Sequence, residues 1–96
     1  MLVLITYDVS TQSPEGKRRL RQVAKQCINY GQRVQNSVFE CVLDNMQCAK
    51  VKSQLLKIID LEEDSVRFYY LGNNYKTKVE HFGAKASFSV EDVLIL

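Results

Sequence analysis

The apolar positions at the start of the chain predict a strand followed by a helix. Residues 2–9 have the sequence LVLITYDV, an apolar and partly β-branched run that is typical of a strand. Ser13 and Pro14 are residue types that favour the N-cap and the first turn of a helix. Apolar residues then recur at the spacing of one helical face, at Leu20, Val23, Ala24 and Cys27.

The rest of the chain continues the alternation of strand and helix patterns. Residues 33–43 predict either one long bent strand or two short strands broken near Asn36. Asp44 and Gln47 have the spacing of a capping box at the start of a second helix. We predict further strands at 64–71, 75–82 and 90–96, the last of them short and apolar.

This order of elements predicts an α+β fold of two layers, with two helices on one face of a sheet. The strands at 2–9 and 64–71 have apolar residues on both sides, whereas a sheet with one solvated face alternates. We therefore expect a two-fold homodimer that buries the second face, with residues 90–96 adding to the partner's sheet. We expect Tyr69, Tyr70 and Tyr75 in this interface rather than as base-stacking residues.

Length and composition indicate a small soluble protein. A chain of 96 residues holds one domain, so we treat residues 1–96 as a single unit. A hydrophobic fraction of 46% excludes a low-complexity chain. The apolar run at 2–5 is too short for a signal sequence, and no run approaches the ~18 residues that span a bilayer. We expect a cytoplasmic protein without membrane contact.

The cysteines and the single histidine predict no metal or nucleophile site. Cys27, Cys41 and Cys48 lack CxxC spacing and fit small buried hydrophobic residues in a reducing compartment. Spacing ties no Ser or Cys nucleophile to His81, which we expect on a strand surface or packed against Tyr75.

A net charge of +2 conceals two clusters of opposite sign. Residues 15–33 carry six basic side chains against one acid, whereas residues 60–64 carry four carboxylates. A basic cluster favours a polyanionic partner, of which nucleic acid is the commonest. A solvated helix face explains the same charges equally well, so both interpretations stay open at this point.

Asp8, at the end of the first predicted strand, is the candidate metal ligand. A carboxylate in this position is a common ligand, although an ordinary loop aspartate also explains it. One carboxylate is a poor cage for magnesium, but a nearby two-fold axis would bring a second Asp8 to the same site. A magnesium ion that keeps several waters needs only one or two carboxylates plus substrate phosphate, and could support phosphodiester cleavage.

Segments in matching order resemble the CRISPR-associated protein 2 family of small adaptation-module nucleases. They are YDV at 7–9, KRRLR at 17–21, RVQNSVFE at 33–40 and DSVRFYYL at 64–71, so the resemblance covers nearly the whole chain. Residues 31–40 and the tail from 83 are most similar to the subtype I-C branch. The resemblance implies a ferredoxin-like βαββαβ sandwich with an extra C-terminal strand, and a two-fold homodimer, in agreement with the pattern.

The resemblance also implies roles for individual residues. Asp8 would be the catalytic and metal-binding residue, for Mg²⁺ or another divalent ion such as Mn²⁺, with Tyr7 and Phe39 supporting the site. The resemblance also assigns Arg33 a place near this site, but it does not match the arginines of the first helix one by one. The basic cluster adds those, so we predict nucleic-acid contacts from a basic set that consists of Arg18, Arg19, Arg21, Lys25 and Arg33.

The resemblance implies two alternative functions. In the first, the protein is a magnesium-dependent endonuclease that cleaves RNA or double-stranded DNA at a site shared across the dimer, and takes part in spacer acquisition. In the second, it is a non-catalytic DNA-binding bridge that joins dimers of the CRISPR integrase subunit. A more distant hypothesis, from the fold alone, is a regulatory domain that binds a small molecule; the basic cluster argues against it.

Overall fold

The computed structural model describes residues 1–71 and 78–84, and every structural statement below concerns these residues. They form a five-stranded antiparallel sheet in the order β2-β3-β1-β4-β5, together with two helices. The elements are β1 (Leu2–Asp8), α1 (Pro14–Ile28), β2 (Gly31–Gln35), β3 (Val38–Val42), α2 (Asn45–Ile58), β4 (Ser65–Leu71) and β5 (Lys78–Gly83). This is the ferredoxin-like βαββαβ arrangement with a further strand, which confirms the predicted fold class.

Both helices begin where their capping residues predict. The Ser13 hydroxyl accepts a hydrogen bond from the Gly16 N–H at 3.0 Å, and Pro14 occupies the first helical position. The Asp44 carboxylate accepts from the Gln47 N–H at 2.7 Å, while the Gln47 side chain accepts from the Asp44 N–H at 3.0 Å. These local hydrogen bonds satisfy backbone donors that a helix start leaves without a partner.

The segment at 33–43 resolves into two strands. A turn at 36–37 separates β2 from β3, and the register between them shifts between Arg33 and Gln35, as in a β-bulge. The strand β2 begins at Gly31, two residues before the predicted start. The broken alternative is therefore confirmed, and it supplies the two strands that the ferredoxin-like fold requires between its helices.

The core lies between the two helices and one face of the sheet. Strand residues Val3, Ile5 and Phe39 are fully buried there and pack with Val23 of α1 and Leu55 of α2. The three cysteines are also buried free thiols, as predicted, and burial raises the pKa of Cys27 to about 12 and that of Cys41 to about 11. Such thiols stay protonated near neutral pH and act as small hydrophobic residues.

The other face of the sheet carries the alternate strand residues. In the β1–β4 register, Leu4 lies opposite Tyr69 and Thr6 opposite Arg67. Tyr70 lies on the helix-covered side instead, where its hydroxyl donates to Glu80 and lies 3.8 Å from the Cys48 Sγ. Tyr70 therefore does not belong to the surface on which we expected a partner, so that expectation was wrong for this residue.

Two expectations fall partly outside the described residues. The predicted strand at 75–82 corresponds to β5, whose described part starts at Lys78, and Tyr75 lies outside the described residues. The predicted C-terminal strand at 90–96 also lies outside them. Within the described ranges, neither helix has the length and apolar character that crossing a membrane requires.

Gly83 offers a test of the packing at the end of β5. Its φ is +125°, and a Cβ at this position would lie 2.0 Å from the Asp64 carbonyl oxygen and 2.5 Å from the Ser65 Cα. Because both the backbone conformation and the space exclude a side chain, we expect Gly83→Ala to lower the free energy of unfolding by about 1–3 kcal/mol in urea titrations. The exposed Glu62→Ala variant is the control, and an equal effect of the two substitutions would contradict the argument.

Candidate functional site

Asp8 lies at the end of β1 beside an open cavity. It is exposed, pairs in register with Ser65 of β4, and shares the strand side of Leu4 and Thr6, opposite to the helices. The cavity has a volume of about 380 Å³ and is lined by residues 8–12 and by Glu63. The predicted catalytic carboxylate therefore stands at an accessible and largely polar position.

This position fits a hydrated magnesium ion only if further ligands come from outside the chain. In the part of the chain that the structure describes, no group of three His, Cys, Asp or Glu side chains could enclose a metal ion. A six-water shell occupies roughly 180 Å³ at about 30 Å³ per water, so the cavity has room for a hydrated ion. Asp8 would hold such an ion, and substrate phosphate or a second subunit would complete the coordination.

Tyr7, Phe39 and Arg33 lie together, but on the other side of the sheet from Asp8. The Tyr7 and Phe39 rings stack with centroids 6.2 Å apart, and the Arg33 Cζ lies 5.1 Å from the Phe39 centroid. Tyr7 donates to the Asn36 carbonyl at 3.3 Å. Burial raises the pKa of Tyr7, and the adjacent Arg33 opposes the shift. Tyr7 and Phe39, the two residues predicted to support the site, are thus core residues, and Arg33 packs at the outer edge of this pair.

Helix α1 presents most of the basic set to solvent. Arg18, Arg21 and Lys25 are exposed and follow each other at helical spacing, so they lie along one side of α1. Lys17 is also exposed on the same helix, and Arg33 is exposed on β2. These residues form a basic surface that could follow the phosphates of a nucleic acid.

Arg19 differs from its neighbours because its guanidinium is directed inward. Its Nε donates to the Asp64 Oδ2 at 2.7 Å, and its terminal nitrogen lies 3.3 Å from the Asp64 Oδ1 and 3.4 Å from the Glu63 Oε2. A phosphate contact would compete with these bonds. The nucleic-acid role of Arg19 stays a prediction, which the variants described below test.

Asp64 is a structural residue that the sequence pattern did not reveal. Its side chain is fully buried, although it belongs to the acidic run at 60–64. Besides the Arg19 guanidinium, it accepts from the Ser10 N–H and from the Asp60 N–H, each at 2.9 Å. The only signal in the sequence is the position of Asp64 directly before the buried strand β4. An acidic side chain at such a position is not expected to be solvated.

His81 of β5 lies beside Arg67 of β4. The Arg67 Nε donates to the His81 Nδ1 at 3.1 Å, and another Arg67 nitrogen donates to the Tyr69 hydroxyl at 3.1 Å. The His81 Nε2 is buried and has no hydrogen-bond partner in the described part of the chain. These contacts are structural and lie within the sheet, and the expected packing against Tyr75 involves a residue outside the described ranges.

The fold and the placement of Asp8 define a class of protein: a small ferredoxin-like domain with an acidic residue at a strand end and a basic helix. Comparison with known families is more specific, because residues 1–79 match the family described as CRISPR associated protein Cas2. The chain belongs to this family, which confirms the resemblance; the subtype I-C assignment stays a prediction.

Relatives cover the chain from end to end. It is 65% identical over 95 residues to "CRISPR-associated endonuclease Cas2" from Halalkalibacterium halodurans, covering 99% of each protein. It is 60% identical over 96 residues to "CRISPR-associated endoribonuclease Cas2" from Nitratidesulfovibrio vulgaris, covering 100% of this chain and 94% of that protein. The crystal structure of Streptococcus pyogenes Cas2 at pH 6.5 superposes with a TM-score of 0.71 at 56% identity, over 78% of this chain and 90% of the other.

The environment of Asp64 makes stability depend on pH. Burial by itself would raise the pKa of Asp64, but the Arg19 guanidinium and the Asp60 and Ser10 N–H groups outweigh burial and hold this pKa below its ordinary value. A lowered pKa in the folded state means that the carboxylate stabilises the fold fully above the ordinary value of about 3.9. That contribution is lost as the pH falls through the folded-state pKa.

We therefore expect Asp64→Asn to lower the free energy of unfolding by about 3 kcal/mol at pH 7, because one partner of a buried ion pair is removed. The difference from the parent should shrink as the pH falls below about 4. Urea titrations at several pH values measure it, with the exposed Glu62→Gln as the control. A difference that stays constant down to pH 2 would contradict the ion-pair account.

Proposed function

We propose that this protein is a divalent-metal-dependent endonuclease that acts as a two-fold dimer and serves CRISPR adaptation. The observation that carries the proposal is the exposed Asp8 carboxylate at the end of β1, beside an open cavity, in a chain whose relatives are named endonuclease and endoribonuclease. RNA and double-stranded DNA are both substrates to be tested, because the names of the relatives differ on this point.

The sheet supports the dimer. Both helices pack on the side of Val3 and Ile5. The opposite side carries the half-buried Leu2 and Leu4, the buried Tyr69 and the exposed Val42, without a helix among the described elements. Val42 is 77% exposed, which is unusual for a β-branched residue in a strand. Burial of this face against a second copy would remove apolar surface from water, and a two-fold axis would place the same face on both subunits.

The ligand requirement supports a shared metal site. The Asp8 side chain lies on the same face of the sheet as the surface proposed for the dimer interface. The Asp8 residues of the two subunits could therefore approach each other at the two-fold axis. Mg²⁺, or Mn²⁺ in its place, would when bound activate a water and neutralise phosphate charge. The Asp8 of each subunit would hold the ion, and the hydroxyl-bearing residues Ser10 and Thr11 line the same cavity.

The basic surface supports substrate binding. Arg18, Arg21 and Lys25 are exposed on α1. Arg33 is also exposed, although it packs against the Phe39 ring, so all four charges are available to neutralise phosphates. Such contacts give affinity without sequence readout, and we propose a non-specific grip on the phosphate backbone. This grip would serve cleavage and also a supporting role in which nucleic acid lies across the protein.

One observation favours the second function, a bridge between subunits of the CRISPR integrase. The exposed basic residues of α1 lie in the helix layer, whereas Asp8 shares the opposite strand side. A bridge needs phosphate contacts but no reaction at Asp8. A binding surface that is separate from the Asp8 carboxylate is therefore compatible with a bridge. The regulatory small-molecule alternative has weaker support. The cavity beside Asp8 is open and polar, and in a second open cavity, lined by α2 and by Tyr70 and Glu80, the charged groups of Lys52 and Glu80 already pair with each other.

The nuclease proposal predicts that Asp8→Asn abolishes metal-dependent cleavage. RNA and duplex DNA should be incubated with the parent and the variant, with Mg²⁺, with Mn²⁺ and with chelator. The variant should fall to the level of the metal-free parent, because the amide is a weaker ligand and carries no charge. Sedimentation is the control, and both proteins should show twice the mass of one chain. Full activity of Asp8→Asn would contradict the catalytic role of Asp8, and a parent without metal-dependent cleavage would leave the bridge as the function. A monomeric parent would contradict the shared site.

The basic surface predicts different effects for two adjacent arginines. We expect Arg18→Ala to weaken duplex DNA binding and to reduce the slope of log affinity against log salt by ~0.9 for each phosphate contact that the dimer loses. Arg19→Ala should leave the slope unchanged and lower the melting temperature, because it removes the partner of buried Asp64. Fluorescence anisotropy at several salt concentrations measures the slope. A reduced slope for Arg19→Ala would restore Arg19 to the nucleic-acid contacts.

A further inference from the structure

The cavity beside Asp8 has two walls that are far apart in the sequence. One wall is the segment at 8–12, which leaves β1 and leads to α1, and the other contains Glu63 in the loop before β4. Apart from Asp8, the residues of both walls lie outside regular strands and helices. The shape of the cavity therefore depends on contacts that fix these two loops relative to each other.

The Asp64 carboxylate makes such contacts with both loops. Its Oδ1 accepts from the Ser10 N–H at 2.9 Å, two residues after Asp8. Its Oδ2 accepts from the Asp60 N–H at 2.9 Å, and the Asp64 N–H donates to the Asp60 carbonyl at 2.7 Å, so the second loop closes on the same residue. One buried side chain thus joins the segment that follows Asp8 to the loop that carries Glu63.

Helix α1 closes the arrangement from two sides. A Cβ at Gly16 would lie 1.9 Å from the Ser10 carbonyl oxygen, so the first turn of the helix packs directly against the backbone that Asp64 holds. Arg19, one turn further on, contacts both Asp64 and Glu63. Arg19 therefore links the buried carboxylate to the side chain on the far wall of the cavity.

We propose that Asp64, held by Arg19, is a positioning residue for the Asp8 site, which it fixes through the Ser10 amide and the Asp60–Glu63 loop. This inference rests on the proposed function, since it assumes that Asp8 binds the metal ion. Asp64 is buried and would not touch the ion; it holds the backbone at Ser10, two residues after Asp8. Residues that orient a metal ligand without binding the metal typically change the affinity 10–100-fold when substituted.

The test measures metal binding directly. Mn²⁺ is titrated into the dimeric protein without nucleic acid and is followed by electron paramagnetic resonance, at a temperature where every variant is folded by circular dichroism. We expect Asp64→Asn and Arg19→Gln to bind Mn²⁺ about 10–100-fold more weakly than the parent. Arg19→Lys, which keeps the charge but loses the forked contact, should bind with an affinity between that of Arg19→Gln and that of the parent. Glu62→Gln removes an exposed acid from the same loop and is the matched control.

A second readout does not depend on the metal. Hydrogen exchange of peptides that cover residues 8–12 should be faster in Asp64→Asn and in Arg19→Gln than in the parent, while the exchange of β3 peptides stays unchanged. A role in overall stability alone would not produce this difference between segments under conditions where all proteins are folded.

The outcomes separate the two proposals. If Asp8→Asn binds Mn²⁺ as tightly as the parent, the metal site is wrong, and the positioning inference falls with it. If Asp8→Asn loses Mn²⁺ while folded Asp64→Asn keeps the parent's affinity within about twofold, the site stands and the positioning inference is overturned. Should Asp64→Asn fail to fold, an unchanged affinity of Arg19→Gln would overturn it in the same way.

Discussion

The ion pair between Arg19 and the buried Asp64 is the interaction on which the rest of this structure depends. A carboxylate without exposed surface is strongly unfavourable unless donors compensate for the lost water, and here Arg19, Ser10 and Asp60 supply them. The backbone of Asp64 makes further contacts, because its carbonyl accepts a hydrogen bond from the Ala84 N–H and lies against Gly83. Four separate stretches of chain therefore meet at one residue: the loop after β1, helix α1, the loop before β4 and the end of β5.

This constraint changes how the charge of the protein is interpreted. By composition, residues 15–33 and 60–64 look like two solvated surfaces of opposite sign. In the structure they touch, and one residue from each is withdrawn from solvent to form the ion pair. What remains on α1 is a narrower basic surface around Arg18, Arg21 and Lys25, while the acidic run becomes a loop whose Glu63 lines the open cavity beside Asp8. Charge that seemed available for a partner is partly committed to the fold.

The sequence predicts structural features that depend on residues close together in the chain. It does not predict features that depend on contacts between residues far apart in the chain. The starts of α1 and α2 follow from Ser13 and Asp44, which act within one turn, and β1 follows from its own apolar run. The break between β2 and β3 was placed near Asn36 as one of two alternatives, because Asn36 and Ser37 are turn-forming residue types but lack the stronger backbone constraint of glycine or proline. Asp64 could not be recognised, since its partners Arg19 and Ser10 are 45 and 54 residues away. The sequence singled out Asp8 as the candidate carboxylate, which stays a prediction, but it did not indicate the loop contacts around Asp8.

The small size of the chain explains why a site of this kind would depend on symmetry. Each chain offers Asp8 at the cavity end of β1 and Glu63 on the opposite wall, and the described residues provide no third His, Cys, Asp or Glu ligand nearby. A larger enzyme adds ligands from further loops, whereas a sheet of five strands with two helices has few loops to give. A two-fold axis doubles every side chain near it without lengthening the chain, so one Asp8 per subunit is enough if the backbone around it is fixed. Precise placement then matters more than the number of ligands, because an error in one loop is repeated in both halves of the site. The buried Arg19–Asp64 ion pair can fix the position of that loop. Ion pairs on the exposed surface are weaker and cannot fix it in the same way.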